Sequence, residues 1–365
     1  MIGLIFIIVY FILLLLAAIG FLMFPYVFPK SEQQKVTIIV PARNEEHVIT
    51  ECLNSIIGQD YPKSLMQIIL VDDASEDGTM FKADKVLADS GIEYLIVLNE
   101  IQSGKKVSIR RAMHAAKADV IVCRDADTYT ASKKWLGTIV SSITNTNKEF
   151  IICPVAIAHT KGHLSSLQEV EMSILSLFTL SSAYFNSPFL CNGANLAFTK
   201  KLFYETGAYS SHLHIASGDD IFFLEEVKKK NRHKIAYLKN KEAIVFTFPE
   251  KDLGSLILQK IRWSSKLFKN PSVINWLSAL IITASNFSLI WAVFYAILNP
   301  QNLPLSLIFI LSKLLIDILL VFLASSFIKV KTGALMVVVI AFIYPLYASL
   351  IAILTVFVKP KWKSN

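Results

Sequence analysis

Apolar residues form two kinds of pattern along the chain, and the first is the long uninterrupted run. No charged residue occurs from Met1 to Pro29, and the stretch Ile2 to Phe24 is long enough to cross the roughly 30 Å hydrocarbon core of a bilayer as a helix. A cleaved signal peptide would have a basic start and a shorter apolar core. We therefore expect an uncleaved transmembrane anchor over residues 1–29.

Three further apolar runs lie near the C-terminus and predict about three transmembrane helices over residues 272–358. They are Trp276 to Leu298, Pro304 to Ile328 and Gly333 to Val358. Lys313 and Asp317 are four residues apart and so share a helix face, which favours a structural ion pair over a proton relay. Pro345 predicts a kinked or only partly inserted last helix.

The second pattern, over residues 30–250, alternates short apolar β-branched runs with segments of helical spacing. The predicted strands are "VTIIV" from Val36, ended by Pro41, then "QIILV", "YLIVL" and "DVIVC". The predicted helices are Glu45 to Ile57, Thr79 to Ala88, Lys105 to Ala116 and Ile221 to Val227. This alternation predicts an α/β fold with a Rossmann-like, mostly parallel sheet flanked by helices.

Lysine and arginine residues set the expected orientation in the membrane. They cluster at Lys30 and Lys35, at five positions from Lys251 to Lys269, and at Lys329 and Lys331, while Asn299 to Leu303 has none. By the positive-inside rule we expect residues 30–250 to form a cytoplasmic domain, with the N-terminus outside. We expect the membrane to be the bacterial inner membrane. Four full crossings would place the basic tail, residues 359–365, outside, so the last span is re-entrant or the tail breaks the rule.

Composition narrows the expected partners. The chain has 365 residues, a net charge of +8 and 54% hydrophobic residues. Lysines beside anionic lipid account for much of the positive charge, so we expect a lipid bilayer as partner and no nucleic acid; protein partners stay unknown. The four cysteines lack metal-type spacing and fit a reducing cytosol, and His159, His163, His212 and His214 are interpreted as non-ligands.

Polar residues concentrate directly after three of the predicted strands. They are "PARNEE" after the first, "DDASEDGT" after the second and "RDADT" after the fourth. In such sheets ligands bind beyond the carboxyl ends of the strands. The clustered carboxylates suit Mg²⁺ or Mn²⁺ together with a nucleotide, although a turn that caps the following helix is an alternative for "DDASEDGT". No Gly-x-Gly-x-x-Gly or complete phosphate loop is present, which disfavours nicotinamide enzymes and P-loop ATPases.

Five motifs taken together resemble a known family. "VTIIVPARNEE", "ILVDDASEDGT", "SGKKVSIRRAM", "CRDADT" and "CNGANLAF" follow in the order and spacing of family 2 glycosyltransferases, inverting enzymes of the GT-A fold that use nucleotide sugars. The resemblance covers roughly Val36 to Phe268. It implies a metal-dependent enzyme with a cation, Mn²⁺ or Mg²⁺.

The resemblance also implies roles for the donor-side residues. Three residues would line the nucleobase and ribose pocket: Pro41, Ala42 and Glu45. Asp73 would contact the base, with Asp72 a near-equal candidate. Lys105 holds the basic position of the third motif, whereas Arg110 stands where the family has asparagine. Asp125 would face the nucleotide and the metal, and Asp127 would be the main metal ligand.

On the acceptor side, "SGDDIFFLEEV" matches the family's acidic pair with Asp219 and Asp220. A base is needed there to take the proton of the attacking hydroxyl, and Asp220 is our choice. Both residues can also cap the following helix. Gly193 and Asn195 would form the wall of the acceptor pocket, or else an ordinary turn into a strand.

The segment 251–271 is predicted to be an amphipathic interfacial segment. Within it Gln259, Arg262 and Trp263 fit the Gln-x-x-Arg-Trp element of polysaccharide synthases and ceramide glucosyltransferase-like enzymes. Arg262 can bind phosphate bidentately and Trp263 can pack on a sugar, although an interfacial anchor is the alternative. The apolar stretch Leu164 to Phe189, with Glu169 and Glu171, is expected either against the bilayer or in the core.

The sequence thus predicts a membrane-anchored glycosyltransferase that moves a sugar, most simply from a UDP-sugar, to a membrane lipid, lipid-linked sugar or glycan. A processive polysaccharide synthase that extrudes its product is the alternative among enzymes. A nucleotide-binding transporter or adaptor is the alternative from another class.

Overall fold

A computed structural model describes residues 2–26, 33–207, 219–269, 273–328 and 330–358. The strands in these residues are β1 Val36–Ala42, β2 Met66–Asp72, β3 Glu93–Leu98, β4 Val120–Arg124, β5 Thr128–Tyr129, β6 Phe150–Ile152, β7 Val155–Ile157, β8 Asn195–Thr199, β9 Ile235–Tyr237 and β10 Val245–Thr247. The helices are α1 Ile2–Met23, α2 Ile49–Ile57, α3 Thr79–Ala88, α4 Lys105–Ala115, α5 Trp135–Thr144, α6 His163–Tyr184, α7 Lys200–Thr206, α8 Asp219–Asn231, α9 Leu253–Lys269, α10 Val273–Leu298, α11 Leu303–Ser325 and α12 Ala334–Phe357.

The chain divides into two compact units. The helical unit contains residues 1–23, 159–181 and 249–365, and the sheet unit contains residues 24–158 and 182–248. Residues 159–181, which the sequence analysis included in the domain over 30–250, group with the helical unit. The reason is visible in α6, where Gln168 binds the backbone of Glu250 and Glu171 pairs with Lys260 at 2.5 Å.

The sheet unit contains a seven-stranded sheet with the order β3-β2-β1-β4-β8-β6-β9. The four strands at one end of this order are parallel to each other, while β8 is antiparallel to both of its neighbours. The prediction of a mostly parallel sheet in an α/β fold is confirmed. A second sheet has the order β5-β10-β7.

The apolar runs of β1, β2 and β4 are buried on both faces of the large sheet, whereas β3 lies at its edge and is exposed or half-buried. Alternate residues such as Ile38 and Ile68 belong to one core cluster together with Leu53 of α2 and Trp135 of α5. Their neighbours along the strands, such as Ile39, are also fully buried. A parallel strand covered on both faces needs a continuous apolar run rather than an alternating one.

Several predicted boundaries differ from the structure, and two of the differences have a visible cause. Strand β1 continues through Pro41 to Ala42, because its pairing with β4 stops at Ile39 and the missing N–H of proline interrupts no bond on that side. Helix α2 begins at Ile49 rather than Glu45, because residues 44–46 bind the loop that follows β2.

Among the described residues of the helical unit, three helices are long and apolar enough to cross a membrane. Their qualifying segments are Leu280–Leu298, Pro300–Ser325 and Ala334–Phe357, while the apolar segment Ile8–Met23 of α1 is shorter. Helix α12 continues through Pro345, and its 24 residues correspond to about 36 Å of length. The basic tail, residues 359–365, lies outside the described residues.

Helix α6 is packed inside the helical unit by polar as well as apolar contacts. Glu169 is 3% exposed and accepts hydrogen bonds from the Lys331 backbone N–H and the Thr332 hydroxyl, and it lies 3.2 Å from His159 Nδ1. Val170 of the same helix packs in an apolar cluster with residues of α11 and α12. Of the two alternatives for this segment, the structure supports the core position for residues 163–181.

A polar cluster joins three of the apolar helices. Lys313 Nζ lies 2.6 Å from Asp317 Oδ2, and the Tyr10 hydroxyl donates to Asp317 Oδ1 at 2.7 Å. Lys313 also lies 3.5 Å from the amide oxygen of Asn286. The predicted ion pair is present, and Tyr10 and Asn286 extend it to α1 and α10.

We expect Lys313→Met to destabilise the protein by roughly 3 kcal/mol, because it leaves the Asp317 carboxylate without its cation in an apolar setting. The double variant Lys313→Met/Asp317→Leu removes both charges and should recover most of that loss. Unfolding in mixed detergent micelles measures both free energies. A double variant no more stable than the single one would contradict this account of the pair.

Candidate functional site

The loops that follow β1 and β2 are bound to each other. Backbone N–H groups of the first loop donate to Ser75, Thr79 and Asp77, and those of the second donate to Asn44 and Glu46, over 2.7–3.2 Å. Asn44 and Ala74 have positive φ of 53° and 57°, a conformation that costs a non-glycine residue energy. The mutual hydrogen bonds hold both loops in this shape.

Asp77 is one of the acidic residues used for structure. Its carboxylate accepts from the Thr79 backbone N–H at 3.0 Å at the start of α3 and from the Glu46 N–H at 3.2 Å. Burial alone would raise the pKa of Asp77, but the hydrogen bonds from Thr79 and Glu46 lower it on balance. The capping interpretation of "DDASEDGT" therefore applies to Asp77.

Asp73 organises the loop that leads into α4. It is 5% exposed, and its carboxylate accepts from Asn99 Nδ2 at 2.7 Å and from the backbone N–H groups of Ser103 and Gly104, both at 2.8 Å. Gly104 has φ of 84°, which favours glycine. Because both oxygens of Asp73 are occupied, its role in this structure is to fix the backbone just before Lys105.

Asp72 has the less occupied carboxylate of the two. It is also 5% exposed, and its Oδ2 accepts from the Ser75 N–H at 3.1 Å. Its Oδ1 is buried and has no hydrogen-bond partner among the described residues. Buried acceptors are normally satisfied, so this oxygen is an exception. The predicted contact of Asp73 with the base, or of Asp72 as the near-equal candidate, stays a prediction.

Lys105, the first residue of α4, extends to the end of β4. Its ammonium group forms a short ion pair with Asp125 Oδ1, and both side chains are partly buried, 18% and 31% exposed. The third motif and the "RDADT" motif thus meet at one place, as the rule for carboxyl ends of parallel strands predicts.

Gly193 and Asp220 complete this cluster from the other side. The Gly193 N–H donates to Asp220 Oδ2 at 3.1 Å. A Cβ placed on Gly193 would lie 3.1 Å from Lys105 Nζ and 3.4 Å from Asp220 Cβ. The structure therefore brings together Lys105, Asp125, Gly193 and Asp220, which are separated by up to 115 positions along the chain.

Asp220 lies in the first turn of α8 and is 9% exposed. Its Oδ1 lies 2.9 Å from the Ile221 backbone N–H. The neighbouring Asp219 begins the helix, and its side chain is outside the described residues. Capping of the helix and a chemical role for Asp220 are compatible, because the carboxylate also reaches Gly193.

The "RDADT" turn carries two carboxylates that could bind a divalent cation. Asp125 is partly buried and Asp127 is exposed in the same turn, and two carboxylates plus substrate phosphates are the usual protein contribution to a Mg²⁺ or Mn²⁺ site. Within the described residues no group of three or more His, Cys, Asp or Glu side chains could hold a metal alone. The donor set fits a cation that is completed by a bound diphosphate.

Pro41 and Ala42 end β1, and Glu45 lies in the loop that follows it. Pro41 is half-buried and Ala42 is buried at the end of the strand, next to Asp72 in the register of β2. Glu45 is half-buried, and its backbone N–H donates to the Thr79 hydroxyl at 2.7 Å. Their predicted contacts with a nucleobase and ribose stay predictions.

Asn195 differs from its predicted position on an acceptor pocket. It is fully buried, and its amide donates to the Pro154 and Ala243 carbonyls at 2.8 and 2.9 Å and accepts from Trp135 Nε1 at 3.2 Å. These bonds join the start of β8 to neighbouring segments of the sheet unit. The side chain therefore supports the fold beside Gly193 and does not face an open wall.

The Gln-x-x-Arg-Trp residues lie on α9 in the helical unit. Gln259 donates to the Glu250 carboxylate at 2.7 Å, and the Lys260 ammonium lies 4.3 Å from the centre of the Trp263 ring. Arg262 and Trp263 are partly buried. Their predicted roles toward diphosphate and sugar stay predictions.

The structure describes all four cysteines and some of the histidines considered above. All four cysteines are buried and none forms a disulfide bond. Burial raises the pKa of Cys52 to about 11 and raises that of Cys153 as well. His159 contacts Glu169, while His212 and His214 lie outside the described residues.

Sequence reasoning missed three residues that shape the site. Asn99 and Ser103 bind Asp73, and Arg124 binds the turn that carries Asp125. A charged residue that ends the apolar run "VIVC" was the available signal for Arg124, whereas Asn99 and Ser103 read as ordinary loop residues.

The sequence comparisons find glycosyltransferases. Residues 37–207 match the family model described as glycosyl transferase family 2. Glycosyltransferase AglE of Haloferax volcanii is 29% identical over 128 residues, which are 35% of this chain and 41% of that protein. Poly(ribitol-phosphate) beta-N-acetylglucosaminyltransferase TarS of Staphylococcus aureus is 26% identical over 195 residues, 53% of this chain and 30% of that protein. The chain thus spans less than half the length of these relatives.

A solved structure supports the fold over nearly the whole chain. The mannosyltransferase PcManGT from Pyrobaculum calidifontis, solved in complex with GDP-Man and Mn²⁺, superposes with a TM-score of 0.56 at 18% identity. The match covers 95% of this chain and 98% of that one. It extends the fold similarity beyond the region matched by the family model.

We expect Asp73→Asn to lower stability by about 1–3 kcal/mol, because the new NH₂ group would face N–H donors that now bind carboxylate oxygens. Asp72→Asn is the matched control, since Asp72 accepts a hydrogen bond from one N–H and should lose less stability. Thermal unfolding of both purified variants measures the difference. Equal losses, or a larger loss for Asp72→Asn, would contradict the structural role of Asp73.

Proposed function

We propose that this chain, a member of glycosyltransferase family 2, transfers a sugar from a nucleotide sugar to an acceptor at a membrane. The observation that carries the proposal is the meeting of Lys105, Asp125, Gly193 and Asp220 at the carboxyl edge of the sheet. An ammonium group, two carboxylates and a glycine whose Cβ would lie close to both Lys105 and Asp220 suit a site where a diphosphate leaves and a hydroxyl attacks.

On the donor side, Asp73, or Asp72 as the near-equal candidate, would contact the nucleobase, and Pro41, Ala42 and Glu45 would line the nucleobase and ribose pocket. Lys105 would turn from Asp125 toward the diphosphate. Asp125 and Asp127 would hold a divalent cation, which would offset the diphosphate charge. The structural neighbour PcManGT was solved with GDP-Man and Mn²⁺, which supports a nucleotide-sugar donor and a divalent cation. A UDP-sugar is our proposed donor.

On the acceptor side, Asp220 would take the proton of the attacking hydroxyl. The hydroxyl oxygen then forms a bond with the anomeric carbon while the bond to the nucleoside diphosphate breaks, so the configuration inverts in one displacement. Gly193 holds Asp220 in place through its N–H. No covalent enzyme intermediate is needed.

The proposed acceptor is a membrane lipid or lipid-linked sugar. Three helices long and apolar enough to cross a bilayer support a position of the enzyme in a membrane, which we propose to be the bacterial inner membrane with the sheet unit in the cytoplasm. Arg262 and Trp263 on α9 would meet the diphosphate and a sugar ring.

The test is sugar transfer in membranes that contain the full chain. They are incubated with a panel of radiolabelled nucleotide sugars and Mn²⁺, and label is counted in an organic-solvent extract and in material of high mass. We expect label in the extract from one donor and none when EDTA removes the cation. Label in high-mass material would favour a processive synthase, and no label from any donor would contradict the enzyme proposal.

Two variants separate binding from chemistry in the same membranes. Asp220→Asn should lower transfer by at least about 100-fold with donor affinity retained, because it removes the base without touching the donor side. Asp127→Asn should instead weaken cation-dependent donor binding. If Asp220→Asn transferred sugar at the unmodified rate, the base assignment would be wrong. A transporter or adaptor would keep its transport or binding activity in this variant.

A further inference from the structure

Arg124 is a charged residue in the site region that the proposed reaction does not use. It is the last residue of β4, directly before Asp125, and its side chain is 0% exposed. A guanidinium group is charged at all physiological pH values, so a full positive charge is buried under the turn that carries Asp125 and Asp127.

The hydrogen bonds of Arg124 close this turn from the inside. Its Nε donates to Thr128 Oγ1 at 3.1 Å, and its Nη2 donates to the Thr128 carbonyl at 3.2 Å and to Ser55 Oγ at 2.7 Å. The Thr128 hydroxyl in turn donates to the Asp125 carbonyl at 2.6 Å. The backbone from Asp125 to Thr128 is therefore held at both ends by one connected set of bonds.

The same side chain is poorly compensated. Among the described residues, Arg124 forms no ion pair with a carboxylate. Its Nη1 is buried and has no hydrogen-bond partner there. The guanidinium lies 4.8 Å from the centre of the Trp135 ring, which offers some stabilisation. A buried, unpaired charge is unfavourable, and a packed apolar side chain would serve stability better.

Arg124 is unfavourable for stability and lies next to Asp125 and Asp127, so a functional role explains its position better than a structural one. We propose that Arg124 is a positioning residue that holds the Asp125 to Thr128 turn in the shape that binds the diphosphate of the donor. The inference rests on the proposed function, because it assumes that this turn meets a nucleoside diphosphate and its cation.

The test measures ligand binding by the full chain in detergent. The probes are UDP and GDP with Mn²⁺, followed by calorimetry, and Mn²⁺ alone, followed by electron paramagnetic resonance. Arg124→Met removes the charge and the N–H donors of the guanidinium group. Arg124→Lys keeps the charge but replaces the planar guanidinium with one ammonium group. Ser55→Ala/Thr128→Val keeps Arg124 but removes two of its hydroxyl acceptors.

Gln67→Met is the matched control. Gln67 is 6% exposed and hydrogen-bonded at the opposite, N-terminal end of β2, so its loss should lower the melting temperature without moving the turn.

We expect Arg124→Met to weaken nucleoside diphosphate binding by about tenfold or more, because three bonds to the turn and its neighbour are lost. Arg124→Lys should recover only part of the lost affinity, because one ammonium group cannot bind both the hydroxyl and the carbonyl of Thr128 as the guanidinium does. The double hydroxyl variant should weaken binding by about threefold or more, and Gln67→Met should leave it unchanged.

Wild-type affinity in folded Arg124→Met, or a loss no larger than that of Gln67→Met, would overturn the inference. If Arg124→Met does not fold, the double hydroxyl variant decides, and unchanged affinity in it overturns the inference. Failure of the wild-type chain to bind either nucleoside diphosphate would instead remove the proposed function together with this inference.

Discussion

Acidic side chains cluster at the carboxyl edge of the sheet, and their charge must be compensated by other groups of the protein. The proposed diphosphate site depends on this compensation. One acidic residue ends β2 and three more follow it within five positions, and two follow β4. Like charges at this spacing repel, so each carboxylate needs a donor or a cation. The structure supplies backbone N–H groups for Asp73 and Asp77 and the Lys105 ammonium group for Asp125.

This compensation divides the acidic residues by task. Asp73 and Asp77 are saturated by hydrogen bonds and shape the loops, while Asp72 keeps one buried oxygen without a partner among the described residues. Asp125 is paired with a side chain that can move, and Asp220 is held by a backbone N–H that cannot. Residues with mobile or incomplete compensation are the ones suited to exchange a partner for substrate.

The parallel sheet and the positions of the motifs could be predicted because continuous β-branched runs have few other folds and because their carboxyl ends share one edge. The structural role of Asp73 could not, since it depends on which carboxylate the N–H groups of Ser103 and Gly104 reach. Asn195 was misplaced for the same reason, because a motif position does not tell whether an amide faces a cavity or three buried partners. Residues 159–181 were assigned by contiguity, whereas Glu169 and Glu171 bind groups far along the chain.

The most direct measurement is the position of Mn²⁺ in the full chain, determined from its anomalous scattering in crystals grown with UDP and Mn²⁺. The account predicts the ion within about 2.5 Å of a carboxylate oxygen of Asp125 or Asp127, with the diphosphate on the same ion and Lys105 turned toward it. A nucleotide bound away from this edge of the sheet, with Lys105 still paired to Asp125, would contradict it.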